Sequence, residues 1–179
     1  MHKILKTIFI LFLTLTTQIS PFLGNLTLRA QSKDSIILAG GCFWCVEADF
    51  EKVNGVSEVI SGYTGGFVEN PTYKQVVKGG TGHYEAVIIH FDPEIITTKN
   101  ILHKFFRSID PTDAGGQFCD RGHSYKSAIF AKPNQILIAK NALLEAEAIL
   151  GEKIVTPILE VSKFFTAEKY HQDLSLIHI

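Results

Sequence analysis

Cys42 and Cys45 stand three residues apart in Gly41-Cys42-Phe43-Trp44-Cys45-Val46-Glu47, beside the chain's single tryptophan. The pair Gly40-Gly41 precedes them and a helical pattern follows. A thiol at a turn-to-helix junction faces backbone N–H groups and the positive end of the helix dipole, which favour a thiolate. Phe43 and Trp44 offer an apolar wall for a small substrate group. A nucleophilic thiol, an aromatic pocket and a second thiol nearby are the parts that sulfur redox chemistry requires.

Three other readings share the C-x-x-C spacing. The pair could be buried and structural, since free cysteine is often a core residue. Cys42, Cys45, Cys119 and His123 could form a Cys₃His zinc set. A thioredoxin-like disulfide oxidoreductase also carries C-x-x-C beside a helix.

Glu85 is the next residue with chemical promise. It lies early in a strand pattern whose same face is otherwise apolar: Val87, Ile89, Phe91. Burial there raises a carboxyl pKa and makes the group a candidate general acid, unless it points to water at the strand mouth. Tyr63 sits in Gly62-Tyr63-Thr64-Gly65-Gly66, where a flexible backbone can approach a ligand and the phenol can donate a hydrogen bond. Asp120, Gly122 and Tyr125 lie in a second glycine-rich loop beside Cys119.

The elements that must position these groups alternate along the chain. A strand is predicted over 35–39, a helix over 44–53 closed by Asn54-Gly55, and a strand over 56–63. A short helix is expected over 73–78 and an alternating strand over 83–91. Thr98 caps a helix with Ile101, Leu102, Phe105, Phe106 and Ile109 on one side, stopped by Asp110-Pro111. A strand over 125–130 follows, then a helix over 133–150 closed by Gly151, then a strand over 154–161 that Pro157 assigns to an edge. This order predicts an α+β domain with one mixed sheet and helices packed on it.

The 179 residues fit one domain after a leader is removed. A formal charge of -1 gives no electrostatic case for nucleic acid. Three cysteines are too few for a disulfide scaffold. Residues 1–30 read as an export signal: His2, Lys3 and Lys6, then the apolar run Thr7 to Leu15, with cleavage near Ala30. An uncleaved anchor is the alternative. Either places the domain, residues 31–173, in a periplasmic or other extracytoplasmic compartment, where reactive thiols need a dedicated electron supply. Residues 174–179 read as a sequencing-artefact tail foreign to the domain.

Five blocks together carry a family resemblance: the Gly41–Glu47 segment, Ser61-Gly62-Tyr63-Thr64-Gly65-Gly66, Gly82-His83-Tyr84-Glu85-Ala86-Val87, Asp120-Arg121-Gly122-His123-Ser124-Tyr125-Lys126-Ser127, and Ala167-Glu168-Lys169-Tyr170-His171-Gln172. In this order they resemble peptide methionine sulfoxide reductase A. The resemblance implies a two-layer, ferredoxin-like α+β sandwich. It implies a monomeric enzyme that reduces the S epimer of methionine sulfoxide, free or in proteins, and so repairs oxidised proteins. Cys42 matches the family's nucleophile, Phe43 and Trp44 its methyl-binding pair, and Glu85 its proton donor. Tyr63 and Tyr125 match the hydroxyls that bind the oxygen, and Asp120 the neighbouring acid. A sulfenic acid on Cys42, then a disulfide, would be recycled by a thioredoxin-like donor, with no bound cofactor or metal.

The resolving thiol stays open between Cys45 and Cys119, which stand where many family members have Gly and Asn. Residues i and i+3 of a helix have Cβ atoms about 5–6 Å apart, and a disulfide needs about 3.5–4.5 Å. Cys45 is favoured if Cys42 precedes the helical backbone; Cys119 adjoins Asp120 and could also reach.

Overall fold

The computed structural model describes residues 33–174; the expected leader and residues 175–179 of the expected tail lie outside them. Strand β1 (Asp34–Gly40) is apolar on both faces, the pattern of a strand covered on both sides. It lies near the centre of a six-stranded sheet with β2 (Val56–Thr64), β3 (Tyr84–Phe91), β6 (Ser127–Ala131), β7 (Ile158–Glu160) and β8 (Phe165–Thr166). The spatial order is β7-β6-β1-β3-β2-β8. All pairs are antiparallel except β6–β7, so the sheet is mixed, as the sequence predicts. A separate two-stranded hairpin, β4 (Gly116–Gln117) and β5 (Asp120–Arg121), stands beside it.

Helices α1 (Phe43–Glu51), α3 (Thr98–Ser108) and α4 (Ile136–Leu150) share one core with a single face of this sheet. Phe50, Leu102, Phe105 and Ala139 meet Leu38, Val87, Ile89 and Ile129 there. The opposite face carries a smaller cluster of Ile37, Ala39, Ala86, Ala128 and Phe130. The result is a two-layer α+β sandwich. Among the described residues no helix is long and apolar enough to cross a membrane.

Several boundaries differ from expectation for local reasons. Thr97, not Thr98, caps α3: its hydroxyl accepts from Asn100 N at 3.2 Å, while Thr98 is inside the helix and buried. Helix α4 begins three residues later than Pro133, because Gln135 and Ile136 first close a turn on Lys132 O. Strand β7 starts only after Pro157. The residues before it bond elsewhere: Ile154 N donates to Glu147 Oε1 at 2.9 Å, and Thr156 shares a hydroxyl bond with Ser127 at 2.8 Å. The edge position that Pro157 implies holds.

Candidate active site

Chain entry into α1 fixes the first thiol. At the end of β1, Gly40 passes so close to Val46, Phe105 and Ile109 that a Cβ would lie 3.0 Å from each. Gly41 takes φ +88°, and Cys42 follows as the residue before the first helical turn, with φ -57° and ψ 116°. Its carbonyl accepts from Cys45 N at 3.1 Å and Val46 N at 3.3 Å. Cys42 is half-buried and Cys45 and Cys119 are exposed; all three are free thiols.

The expectation that this turn favours a thiolate needs correction. Burial pushes the Cys42 thiol up to about 12, and the neighbouring Cys45 and Glu85 push the same way. The backbone N–H groups of Cys45 and Trp44 do act on the sulfur in the opposite sense, but they are outweighed. At rest Cys42 is therefore a thiol.

Glu85 resolves the question of burial or solvent exposure. Only 1% of it is exposed. Its Oε2 accepts from Phe43 N at 3.2 Å, tying β3 to the first residue of α1. Its Oε1 is buried without a partner. Burial raises its pKa to about 7, Asp120 adds to the rise, and Phe43 N and Tyr125 oppose it. Glu85 is thus about half protonated at neutral pH and largely protonated below it, with one oxygen lacking a partner among the described residues.

Tyr63 is Glu85's direct cross-strand partner on β2. Its hydroxyl, however, donates to Glu168 Oε2 at 2.9 Å, so it is already committed within the fold. The phenol that shares Tyr125's surroundings is Tyr73, the first residue of α2 (Tyr73–Lys78). Its ring stacks on Phe43 and Trp44 at 6.0 Å each. Burial, then Glu85, raises the pKa of Tyr73, and Cys42 and Asp120 act on it as well. Tyr125 closes a short 3₁₀ turn (His123–Tyr125), and burial followed by Glu85 raises its pKa too.

Tyr73 could have been found from Thr72-x-x-Gln75, a capping box that sets the start of α2. Thr72 N donates to Gln75 Oε1 at 2.9 Å, and Gln75 N donates back to Thr72 Oγ1 at 3.4 Å. A second residue missed from the sequence is His171. It is 2% exposed, and its ring packs on Tyr73 at 4.4 Å and on Phe43 and Trp44 at 5.4 Å each. Burial lowers its pKa, so the ring is neutral. Glu85 Oε1, Trp44 Nε1 and both His171 ring nitrogens are the buried side-chain polar atoms without a partner among the described residues. All belong to this one neighbourhood. Unpaired polar atoms are costly, so their concentration marks where a ligand or water belongs.

The second glycine-rich loop folds as the β4–β5 hairpin. Gln117 pairs with Asp120, leaving Phe118 and Cys119 as its two-residue turn, with Phe118 at φ +52°. Asp120 reaches Glu85, Tyr73 and Tyr125 electrostatically. Cys119 is exposed on the turn. The rival Cys₃His set does not assemble. The grouping of possible metal ligands among the described residues is instead Glu47, Glu51 and Asp173.

Sequence comparison fits this geometry. Residues 34–176 match the family profile described as peptide methionine sulfoxide reductase. The chain belongs to the peptide methionine sulfoxide reductase family. It is 51% identical over 146 residues to peptide methionine sulfoxide reductase MsrA 2 of Rhizobium meliloti (strain 1021), covering 81% of this chain and 73% of that one. It is 52% identical over 139 residues to MsrA/MsrB of Vibrio cholerae, covering 76% of this chain and 37% of that longer protein. Among solved structures, reduced Mxr1 of Saccharomyces cerevisiae superposes with a TM-score of 0.74 at 30% identity, covering 78% of this chain and 82% of Mxr1. Mxr1 has also been solved in complex with Trx2.

The reductase, an enzyme that reduces methionine sulfoxide, therefore brings Cys42, Phe43, Trp44, Glu85, Asp120 and Tyr125 into one neighbourhood and adds Tyr73 and His171. Tyr63 lies opposite Glu85 with its ring 5.8 Å from Phe43, but its hydroxyl is spent on Glu168. Cys45, in the first turn of α1, acts on the Cys42 thiol.

Proposed function

We propose that the reductase acts on the S epimer of methionine sulfoxide, with Cys42 as nucleophile and Glu85 as acid. The observation that carries this reading is Glu85: a buried carboxyl at a pKa of about 7, anchored by Phe43 N, with Oε1 unpaired and its charge felt by the Cys42 thiol. The substrate methyl group rests on Phe43, Trp44 and the Tyr73 ring. The sulfoxide oxygen takes the Glu85 proton, with Tyr73 and Tyr125 as further donors and burial, helped by Asp120, favouring the protonated form of Glu85.

In the first step Cys42 sulfur bonds to the sulfoxide sulfur. The S–O bond and the new S–S bond then break as the oxygen, carrying the Glu85 proton, passes to Cys42. Methionine leaves reduced by two electrons, and Cys42 becomes a sulfenic acid, oxidised by two. The proton that the thiol gives up replaces the one Glu85 delivers. A second thiol condenses with the sulfenic acid, forming a disulfide and releasing water. A thioredoxin-like dithiol then returns the pair to the reduced state by exchange; the Trx2 complex of Mxr1 supports a donor of this class.

Cys45 is the resolving thiol in this reading. Cys42 precedes the helical backbone, which supports closure without movement of the β4–β5 hairpin. The exported location expected from residues 1–30 makes that donor extracytoplasmic, and cell fractionation tests this.

A single round without reductant, on separate S and R epimers, tests the chemistry. One methionine per chain from the S epimer, lost in Cys42→Ser, is expected; equal reduction of both epimers overturns the stereochemical assignment. Cys45→Ser should keep that single round and lose thioredoxin-supported turnover. If Cys119→Ser alone loses turnover, Cys119 resolves instead.

A further inference from the structure

Glu168 lies outside the reacting groups, yet its carboxylate is fully engaged. Oε2 accepts from Tyr63 Oη at 2.9 Å, and Oε1 accepts from Tyr73 N at 3.0 Å. Its own carbonyl accepts from His171 N at 2.8 Å, and His171 Nε2 stands 3.8 Å from Oε2. One side chain therefore spans a strand, the first residue of α2 and the segment that carries His171.

We propose that Glu168 is a positioning residue of the reductase, a clamp that sets the Tyr73 phenol against Phe43, Trp44 and the sulfoxide oxygen. Three observations carry the assignment. Tyr63 is wholly buried, so its hydroxyl is a fixed point from which Glu168 is aimed. The capping box fixes the first turn of α2 internally, but the bond from Glu168 joins that turn to the sheet. The Tyr73 ring touches every aromatic wall of the site: Phe43, Trp44 and His171. A small displacement of a group far from the reacting atoms can cost on the order of a hundredfold in rate.

This inference rests on the reading in which the Tyr73 hydroxyl serves the sulfoxide oxygen, and its test separates the two. The measurement is the single-turnover rate constant at saturating methionine sulfoxide for Tyr73→Phe, Glu168→Ala, Glu168→Asp, Glu168→Gln and the double variant Tyr73→Phe/Glu168→Ala. Glu168→Ala is expected to slow the step about tenfold or more. Glu168→Asp keeps the charge, is too short to reach both partners, and should behave like Ala. Glu168→Gln keeps a carbonyl for Tyr73 N and can donate to the Tyr63 oxygen, so it should stay within about threefold of the parent. The double variant should be no slower than Tyr73→Phe alone. Hydrogen exchange of the Tyr73 amide gives a readout independent of activity: faster in Asp and Ala, preserved in Gln. Multiplicative losses in the double variant, or an unchanged rate in Glu168→Asp with a deprotected Tyr73 amide, overturn the clamp. An unchanged rate in Tyr73→Phe overturns the underlying reading of Tyr73 instead.

Discussion

Glu85 sets both the pH behaviour and part of the stability of the reductase. Its folded pKa of about 7 lies above the ordinary carboxyl value because burial disfavours the charged form. The protonated acid is the working form, so the single-turnover rate should fall as pH rises through about 7. Glu85→Gln should lose most of the rate and flatten that limb; a parent rate that holds level from pH 6 to pH 8.5 would contradict the assignment. The stability sign follows from the same shift. Between the ordinary carboxyl pKa and about 7 the native state binds the proton and the unfolded state does not, so folding stability declines as pH rises through that window. Glu85→Gln removes this penalty. It should be more stable than the parent above pH 7, by about 1–3 kcal/mol in denaturant melts, and no more stable below pH 4. The sequence carried Glu85 through its period-two apolar face, and Cys42 through its glycine pair. It did not carry Tyr73 or His171: one reads as an ordinary helix start, the other as one more polar residue near the end. Both acquire meaning only through ring contacts between segments far apart in sequence.

At the level of elements, the turn before α1 and the β4–β5 hairpin are built against each other. A Cβ on Gly41 would lie 2.6 Å from Gln117 Cβ. Gln117 cannot easily yield, because it is buried and bonded through both amide atoms to the backbone of Asp110, at 2.8 Å each. Gly41 also sits at φ +88°, where an L side chain is strained. Gly41→Ala should therefore cost more than about 2 kcal/mol of stability and slow sulfoxide reduction, since it moves both Cys42 and the strand that bears Asp120. Denaturant melts and the single-turnover rate check this; an Ala variant with parent stability would show that the hairpin is free to shift. A milder case is Thr97→Ala, which removes the α3 cap and should cost about 1 kcal/mol, while Thr98→Ala leaves that bond in place. Apolar periodicity made α1, α3 and β3 legible, but it could not choose between adjacent threonines. That choice depends on which hydroxyl meets a free N–H.

At the scale of the whole molecule, the last described segment returns to the sheet through β8, which pairs with β2. Ala167 N donates to Ser61 O at 2.9 Å. Gln172 brackets the same residue: its Oε1 accepts from Ser61 N and its Nε2 donates to Ser61 O, both at 3.0 Å, with a further bond to Ala167 O at 3.1 Å. Ser61 Oγ in turn donates to Glu47 Oε2 at 2.8 Å, and Asp173 N donates to Glu47 Oε1 at 2.9 Å. Helix α1, strand β2 and the closing segment are thus joined through one buried carboxyl and one glutamine. This join holds His171 and Glu168 over the site. The sequence showed the Ala167–Gln172 block as a family signature without showing why it matters, because its bonds run to residues far earlier in the chain, such as Ser61, Tyr63 and Tyr73, or to one another. Gln172→Ala removes three of these bonds and leaves Ser61 N without its partner. It should lower stability by about 1–3 kcal/mol. The loss should also be local before it is global: hydrogen exchange should quicken at the Ser61, Ala167 and His171 amides under conditions where the amides of β1 keep parent protection. If protection falls evenly across the sheet, the closing segment is part of the global folding unit and not a strap laid over it.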